Sequence, residues 1–255
     1  MKNTNSLSAG LQKINSFFLD TLFPVTCLLC RKEDIWLCEE CANELPLLSF
    51  QLCPYCEREI VQNGLICEQC KNRQFEKNSS PSLIALICAM DYRLIAKFVH
   101  LFKYNFVFDL GVPLGKIIAR ALQKNELPLP DFIIPIPIHT SKLKWRGFNQ
   151  AEILADSVSQ NLVPGFSLSV RSDLVFRQKK THAQMKIKTH SARLDNLRDA
   201  FALTPEAKNN LVDKKILLID DIATTGATLF ECAKVLKSAG AKEVYGAIIA
   251  RQKIG

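Results

Sequence analysis

Long apolar runs are missing from this sequence of 255 residues, and none approaches the roughly 18 consecutive apolar residues of a membrane-spanning helix. Residues 1–10 are polar, and the apolar side chains of residues 11–22 recur at the spacing of an amphipathic helix, which is not the pattern of a secretory signal. We therefore expect a cytoplasmic protein that does not enter a membrane, with residues 1–24 forming a tail and an amphipathic helix.

A complete Gly-x-x-x-x-Gly-Lys-Ser/Thr nucleotide loop is also missing. The nearest segment, Gly111 to Ile117, is one residue short between its glycines and has no Ser or Thr after Lys116. We interpret it as the start of a helix and do not expect an ATPase.

Cysteine, in contrast, is abundant, and eight of the ten cysteines form four Cys-x-x-Cys pairs. Two thiolates at this spacing on a tight turn bind one ion, and two such turns complete the closed tetrahedral site of structural zinc. The simplest arrangement is sequential, although the spacing also permits an interleaved one. The eight predicted zinc ligands are Cys27, Cys30, Cys38, Cys41, Cys53, Cys56, Cys67 and Cys70.

We expect residues 25–76 to form a double zinc ribbon, because a segment this short needs bound metal as a source of folding energy. Redox-active cysteines are the alternative, but no strand-turn-helix unit of the thioredoxin type lies nearby. Between Cys27 and Glu76, five basic residues face nine acidic ones, a net charge of −4. Phosphate binding needs cations, so the module is better suited to a scaffold or a protein-docking surface than to nucleic acid. Cys88 and Cys232 lie in apolar surroundings and are predicted to be core residues.

The chain from residue 83 to 255 alternates between short apolar runs and stretches of helical period. We predict strands over residues 83–90, 132–138, 215–220 and 244–250, and helices over 94–103, 111–124, 149–160 and 228–239. Continuous apolar strands are typical of a parallel sheet that is covered on both faces. The predicted fold is therefore an α/β domain with its ligand loops at the carboxyl ends of the strands.

The strand at residues 215–219 leads into a segment suited to binding a phosphorylated ribose. A tight turn from Ala223 to Ala227 and the helix that follows direct backbone N–H groups and the positive end of a helix dipole at one point. Hydroxyl groups and one glycine complete this phosphate cradle, and two adjacent carboxylates are placed to accept hydrogen bonds from ribose hydroxyls and to lie near Mg²⁺. The candidate residues are Asp220, Asp221, Ala223, Thr224, Thr225, Gly226, Ala227 and Thr228.

This segment resembles the signature of the type I phosphoribosyltransferases, an apolar strand followed by D-D-x-x-T-T-G-x-T, and matches it at every fixed position. The resemblance implies that Asp220 and Asp221 contact the ribose hydroxyls of phosphoribosyl pyrophosphate (PRPP), while Ala223 to Thr228 bind its 5′-phosphate. In this fold a loop after an earlier strand binds the pyrophosphate, and cations neutralise it. The residues that this implies are Pro135, Ile136, Pro137, Lys142 and Arg146, although a basic surface turn would also explain the two cations.

The motifs together resemble the ComF family over nearly the whole chain from about Phe18. They are the cysteine pairs, Phe102-Lys-Tyr104, Pro135-Ile-Pro137, Arg146-Gly-Phe-Asn-Gln150, Thr181-x-x-Gln184, Arg193-x-x-Asn196 and Ala250-Arg251. The resemblance implies a double zinc ribbon before a type I phosphoribosyltransferase domain, in a bacterial cytoplasm. It also implies PRPP with Mg²⁺ as ligands. The implied role is in competence, where the protein would handle internalised single-stranded DNA during natural transformation. Competence or DNA-processing proteins would bind its zinc module.

A flexible loop over residues 177–196 would close over PRPP; its implied contacts are Arg177, Thr181, Gln184, Arg193 and Asn196. His182 stands where a family member has proline, a small departure in this loop.

From Arg171 to Arg198, eight basic residues face two acidic ones, a net charge of +6 that would suit PRPP, single-stranded DNA or solubility. No aromatic residue alternates with the cations between Arg177 and Arg198, and Trp145 and Phe148 are the nearest candidates for base stacking.

Three functions remain open from the sequence. The first is a competence protein that uses a PRPP pocket for binding or regulation while contacting single-stranded DNA. The second is an active phosphoribosyltransferase that moves ribose 5-phosphate to an acceptor that no motif identifies, since positioning and charge stabilisation supply most of that catalysis. The third is a zinc-stabilised adaptor with a vestigial sugar-phosphate pocket.

Overall fold

The computed structural model describes residues 25–76, 80–105, 107–179 and 199–252. The chain divides into two compact units, Met1–Leu45 and Pro46–Gly255, and this division falls between the two predicted zinc ribbons. The predicted tail and amphipathic helix at residues 1–24 lie outside the described residues. The domain boundaries near residues 76 and 83 stay a prediction.

The two predicted ribbons contain the same turn. In the first unit, Arg31 follows the first cysteine pair, adopts a left-handed φ of 68° and donates its N–H to the carbonyl of Cys27 at 3.0 Å. In the second unit, Glu57 has a φ of 57° and donates to the carbonyl of Cys53 at 3.0 Å. The described part of the first unit also contains helix α1 (Glu39–Glu44), and the second ribbon contains β1 (Gln51–Leu52), β2 (Ile60–Val61) and helix α2 (Glu68–Glu76).

A parallel four-stranded sheet forms the centre of the second unit. Its strands are β3 (Ala85–Asp91), β4 (Phe132–Pro135), β7 (Lys215–Ala223) and β8 (Glu243–Arg251), in the order β3-β8-β7-β4. Strands β5 (Val175–Arg177) and β6 (Phe201–Leu203) form a separate antiparallel pair that the apolar pattern did not predict. All four predicted strands are confirmed, but β4 ends at Pro135, three residues early, because proline has no N–H for a ladder.

Helices cover the sheet as expected from strands whose two faces are both apolar. They are α3 (Tyr92–Tyr104), α4 (Gly111–Asn125), α5 (Thr140–Arg146), α6 (Gln150–Asn161), α7 (Ala207–Asn210) and α8 (Ala227–Ser238). On one face, Leu218 and Ile248 belong to a core that includes Leu229 and Cys232 of α8. Helices α4 and α6 pack against each other and against the sheet. Among the described residues, no helix combines the length and the apolar character of a membrane span.

The glycine segment that resembles a nucleotide loop is a helix start, as predicted, since α4 begins at Gly111. Its second glycine permits a close helix crossing: a Cβ on Gly115 would lie 2.4 Å from the Cβ of Ser157 in α6. The same serine donates its hydroxyl to the carbonyl of Val112 at 2.8 Å. The glycine spacing therefore reflects helix packing.

The second ribbon pairs with the edge strand of the sheet. The side chain of Gln51 accepts a hydrogen bond from the N–H of Cys88 at 2.9 Å and donates one to its carbonyl at 3.1 Å. Next to it, Ile66 donates its N–H to the carbonyl of Ile84 at 2.9 Å. Cys232 is buried as predicted, but Cys88 is only half-buried, because it lines a cavity of about 550 Å³ beside β1.

Candidate functional site

The eight paired cysteines form two clusters, in the sequential arrangement that was the simpler of the two predicted ones. Cys27, Cys30, Cys38 and Cys41 make one cluster and Cys53, Cys56, Cys67 and Cys70 the other; within each, all Sγ atoms lie within 4.8 Å of one another. Tetrahedral zinc with Zn–S bonds of about 2.3 Å places its sulfurs about 3.8 Å apart. The Sγ atoms of Cys27 and Cys38 are 3.9 Å apart, and those of Cys56 and Cys67 also 3.9 Å. Both clusters therefore fit zinc.

One thiol in each cluster ionises easily. Burial raises the pKa of Cys27 and of Cys56, but hydrogen bonds, chiefly from backbone N–H groups, outweigh it and bring these values to about 6 and about 7. In the second cluster, burial raises the pKa of Cys70 to about 12. The thiols within a cluster therefore differ in how readily they lose their protons. A bound cation would displace these protons and bind the sulfurs as thiolates.

The predicted phosphate cradle lies where β7 ends and α8 begins. Thr224, Thr225 and Gly226 form the turn, and Gly226 takes a left-handed φ of 72° that glycine tolerates without strain. The hydroxyl of Thr225 accepts a hydrogen bond from the N–H of Ala227, the first residue of α8, at 3.4 Å. Ala223 is the last residue of β7 and Thr228 is half-buried in the first turn of α8. The positive end of this helix dipole thus faces the turn, which suits an anion.

The two aspartates near the end of β7 differ in their surroundings. Asp221 is buried and forms an ion pair with Lys103 of α3, with 2.9 Å between Oδ1 and Nζ. Burial alone would lower the pKa of Lys103, but the charge of Asp221 outweighs it and raises the value. Asp220 has no such close ion pair among the described residues; its burial and the neighbouring Asp221 raise its pKa to about 7. Asp221 is therefore held by an ion pair, while the pKa of Asp220 lies near neutral pH.

Cations surround Asp220 from three other elements. Burial lowers the pKa of Lys142 in α5, and the positive charges nearby lower it further; these belong to Arg177, Arg146 and Lys103. The negative charge of Asp220 acts in the opposite direction and raises it. Arg177 ends β5, and its guanidinium lies over the ring of Phe201 at 5.3 Å from the centroid. Repelling cations held close together favour an anion between them.

The segment Arg146-Gly-Phe-Asn-Gln150 holds the predicted pyrophosphate-binding residues in place. Gly147 ends α5 in a left-handed conformation, and the buried Asn149 begins α6 by accepting the N–H of Ala151 at 3.2 Å. Asn149 also donates to the carbonyl of Ile136 at 3.1 Å, and Arg146 donates to the buried Gln150 at 3.0 Å. This motif is therefore the structural support of the loop after β4.

The structure brings the two predicted loops together, since β4 and β7 are neighbours and Ile136 donates its N–H to the carbonyl of Ile219 at 2.8 Å. Pro135 ends β4 and Pro137 follows it in the loop, but the side chain of Ile136 is buried in the core and its backbone N–H and C=O are both hydrogen-bonded within the protein. Of the predicted closing loop, Arg177 lies at the site, while Thr181, Gln184, Arg193 and Asn196 fall outside the described residues.

The two predicted stacking aromatics separate. Trp145 is 65% exposed beside the guanidinium of Arg146, at 5.9 Å from the ring centroid. Phe148 is buried, with its ring centroid 3.9 Å from that of Phe108 and 6.1 Å from that of Phe102. Phe148 is thus a core residue, and Trp145 is a surface aromatic next to cations.

Comparisons with known proteins match two separate segments of the chain to family models. The family model of the phosphoribosyl transferase domain matches residues 146–255, and that of the double zinc ribbon domain matches residues 18–71. Competence protein F of Haemophilus influenzae is 28% identical over 214 residues, which cover 82% of this chain and 87% of the relative. Competence protein ComFC of Streptococcus pneumoniae is 28% identical over 225 residues, 85% of this chain and 88% of the relative. DNA utilization protein YhgH of Escherichia coli K12 is 27% identical over 232 residues, 87% of this chain and 94% of the relative.

The chain is therefore similar to competence protein F and competence protein ComFC over most of its length. Its fold is a type I phosphoribosyltransferase domain with a mostly parallel sheet flanked by helices, preceded by a double zinc ribbon, as predicted. The double ribbon and the geometry of its two clusters indicate zinc as their metal.

Sequence reasoning gave no role to two cations near this candidate site. Lys103 was noted only as part of a family motif, yet it is the partner of Asp221. A signal was present, because the apolar period of α3 (Ile95, Phe98, Val99, Phe102) places Lys103 beside the buried stripe, where a charge needs a partner. Arg251, the last residue of β8, is only 11% exposed and forms an ion pair with Glu57, a residue more than 190 positions earlier that no local pattern connects to it.

Replacement of Asp220 by asparagine is expected to stabilise the fold increasingly as the pH rises. The carboxyl pKa is about 7 in the folded protein, against about 3.9 in an unfolded chain. Stability from this group is therefore fully present below about pH 4 and is lost as the pH rises through 7. Because asparagine stays neutral, the advantage of Asp220→Asn in the free energy of unfolding should reach roughly 1–3 kcal/mol at pH 8. Urea denaturation at pH 5, 6.5 and 8 measures it; an advantage that does not grow with pH would contradict the raised pKa.

Proposed function

We propose that this protein is a member of the ComF family that binds PRPP with Mg²⁺ at the carboxyl ends of β7 and β4, in a bacterial cytoplasm. We further propose that it handles single-stranded DNA during natural transformation. The observation that carries the proposal is the pairing of a phosphate cradle with a cationic loop. The turn before α8 offers a helix dipole and hydroxyls, and Lys142 and Arg177 interact with the charge of Asp220 just before it. PRPP has an anionic group at each end of its ribose and matches this arrangement.

Each part of PRPP has a proposed partner. The 5′-phosphate lies in the turn from Ala223 to Thr228, and the ribose hydroxyls donate to Asp220 and Asp221. Mg²⁺ prefers carboxylate, phosphate and water oxygens, so Asp220 and Asp221 are also its candidate ligands, and the ion would offset the charge of the pyrophosphate. The loop from Pro135 through Lys142 to Arg146 binds the pyrophosphate. Residues 177–196 remain the proposed closing loop.

Replacement of Lys142 by alanine tests the pyrophosphate assignment. Loss of one charge-assisted contact should weaken PRPP by about 10-fold. The affinity for ribose 5-phosphate, which lacks only the pyrophosphate, should stay unchanged. Isothermal titration of both ligands measures the split, and Lys144→Ala, an exposed lysine on the same helix, is the matched control. Equal weakening of both ligands would contradict this placement of the pyrophosphate.

The DNA role is supported by the names of the relatives, two competence proteins and a DNA utilization protein, and by a surface on α5. There, the exposed Trp145 stands beside Lys144 and Arg146, a combination of aromatic and cationic side chains that suits single-stranded nucleic acid. Such binding should weaken steeply as salt rises, and affinity independent of salt would contradict an electrostatic contact. The acidic zinc module is the proposed surface for competence or DNA-processing proteins.

An active phosphoribosyltransferase is the second candidate, favoured by the complete signature around Asp220. In that reaction the bond between C1 of the ribose and pyrophosphate breaks, a bond from C1 to the acceptor forms, and pyrophosphate leaves. A pyrophosphate-release assay with PRPP, Mg²⁺ and a panel of nucleobases, nucleotides and single-stranded DNA tests it. Release above the PRPP-only background would establish the enzyme, and no release across the panel would favour the binding role.

A further inference from the structure

The last strand of the sheet connects the phosphate cradle with the second zinc ribbon. Arg251 ends β8 in register with Ala223, the last residue of β7 before the phosphate turn. Its side chain is 11% exposed, and its Nη1 lies 2.7 Å from Oε1 of Glu57. The guanidinium thus extends from the edge of the cradle to the ribbon.

The same side chain borders the glycine of the cradle. A Cβ placed on Gly226 would lie 3.8 Å from Nη2 of Arg251 and 3.4 Å from the ring of Phe230. Phe230, on α8, packs against Tyr55 of the second ribbon, with ring centroids 4.7 Å apart and an interplanar angle of 57°. Both side chains that line Gly226 from this direction therefore also contact the ribbon.

On the ribbon, Tyr55 and Glu57 flank Cys56, a ligand of the second cluster. Glu57 has a left-handed φ of 57° that is uncommon for a residue with a side chain, and its N–H donates to the carbonyl of Cys53 at 3.0 Å. The N–H of Cys67 points to Sγ of Cys53 at 3.4 Å. Metal–thiolate bonds hold such a turn in a segment too short for a core of its own. The position of Glu57 therefore depends on the ion in the second cluster.

We propose that Arg251 is a positioning residue that couples the second four-cysteine centre to the phosphate cradle, so that zinc in this centre and PRPP in the cradle stabilise each other. The coupling rests on the proposed binding of PRPP. The guanidinium of Arg251 is largely buried while the carboxylate of Glu57 is about one third exposed, so loss of Glu57 leaves a buried cation without its compensating charge. Coupling between two ligands is reciprocal, so each ligand should slow the loss of the other.

The first test removes only the ribbon side of this ion pair. In the full-length zinc-loaded protein, Glu57→Ala should weaken PRPP on the order of 5-fold while both zinc ions remain bound. Glu59→Ala, which removes an exposed charge from the same ribbon, is the matched control and should bind PRPP as the wild type does. Calorimetry gives the affinity and zinc analysis gives the metal content.

The second readout is one that a merely structural residue would not change. Zinc transfer to a chromogenic chelator should be biphasic, and saturating PRPP should slow the phase that Cys70→Ser removes. This protection should disappear in Glu57→Ala and persist in Glu59→Ala. Tyr55→Leu, which removes the second contact, should reduce the protection without any change of charge.

The outcomes separate the two proposals. If the wild type binds no PRPP, the proposed function fails. If it binds PRPP but Glu57→Ala keeps both full affinity and full protection of zinc, the coupling is wrong and the function stands. If Arg251→Lys binds PRPP normally and Glu57→Ala also has no effect, Arg251 contributes only its positive charge to PRPP binding. That result would overturn its positioning role. Thermal melting of each variant identifies any variant that fails to fold. If Glu57→Ala does not fold, Tyr55→Leu tests the coupling in its place.

Discussion

Asparagine at both Asp220 and Asp221 should abolish PRPP binding, with a loss of at least roughly 100-fold in affinity. Each hydrogen bond from a ribose hydroxyl to a carboxylate contributes about 1.5–3 kcal/mol, and asparagine keeps the shape but removes the charge. It also removes two candidate oxygen ligands of Mg²⁺. Calorimetric titration of the variant with PRPP and Mg²⁺ measures the loss.

The control for this variant must address stability as well as charge. Asp221→Asn leaves the half-buried Lys103 without its ion-pair partner, so some loss of stability is expected from that position alone. Asp220→Asn keeps the ion pair, and it should lose much of the affinity while its fold is as stable as the wild type or more so. Asp213→Asn, an exposed site outside the cradle, should bind normally. Undiminished PRPP affinity in the folded double variant would refute the site.

Removal of one ligand from each zinc centre should have unequal effects. Cys70→Ser is expected to destabilise the phosphoribosyltransferase domain by at least about 3 kcal/mol, or roughly 6–12 °C in melting temperature. The reason is that the second ribbon belongs to the same compact unit as the sheet, which it contacts through the hydrogen bonds of Gln51 with Cys88 and the tilted ring contact of Tyr55 with Phe230. Cys41→Ser changes the same chemistry in the first unit, so its effect on the main melting transition should be much smaller.

Differential scanning calorimetry of the two serine variants, with zinc content measured in parallel, makes this comparison. Each variant should retain one ion per chain, since the clusters share no ligand. Equal shifts of the main transition would mean that both centres support the domain to the same extent, contrary to the division of the chain. A Cys232→Ser variant, at a buried cysteine outside both clusters, tests for a general effect of serine.

The elements of the fold that could be predicted are those with a local pattern of apolar residues. The apolar runs at residues 83–90, 215–220 and 244–250 became β3, β7 and β8, because parallel strands covered on both faces need no polar alternation. The predicted β7 ended at Asp220, whereas pairing with β8 continues to Ala223 opposite Arg251. Partner strands decide such boundaries, and a single strand's composition does not.

Other elements were missed for equally physical reasons. Helix α5 has only seven residues, begins after His139 and has no buried side chain, so it carries no apolar period. Strands β5 and β6 have three residues each and are separated by more than 20 residues of chain, so no hairpin signal joins them. The four-cysteine clusters, in contrast, were predictable from spacing, although only the structure selects the sequential pairing.

The candidate site divides in the same way. Asp220 and the turn to Thr228 were predictable because strand, turn and helix are adjacent in sequence. Lys103 and Arg251 were not given roles, because their partners, Asp221 and Glu57, come from distant segments that only the folded sheet brings near. The raised pKa of Asp220 also depends on burial that its sequence neighbours do not reveal.

The most direct test of the central claim is a calorimetric titration of the full-length, zinc-loaded protein with PRPP in the presence of Mg²⁺, repeated with single-stranded DNA present. One PRPP should bind per chain, with affinity that falls when Mg²⁺ is withheld and that exceeds the affinity for ribose 5-phosphate. Absence of binding by the folded wild-type protein, with or without DNA, would contradict the assignment of the turn from Asp220 to Thr228 as a PRPP site.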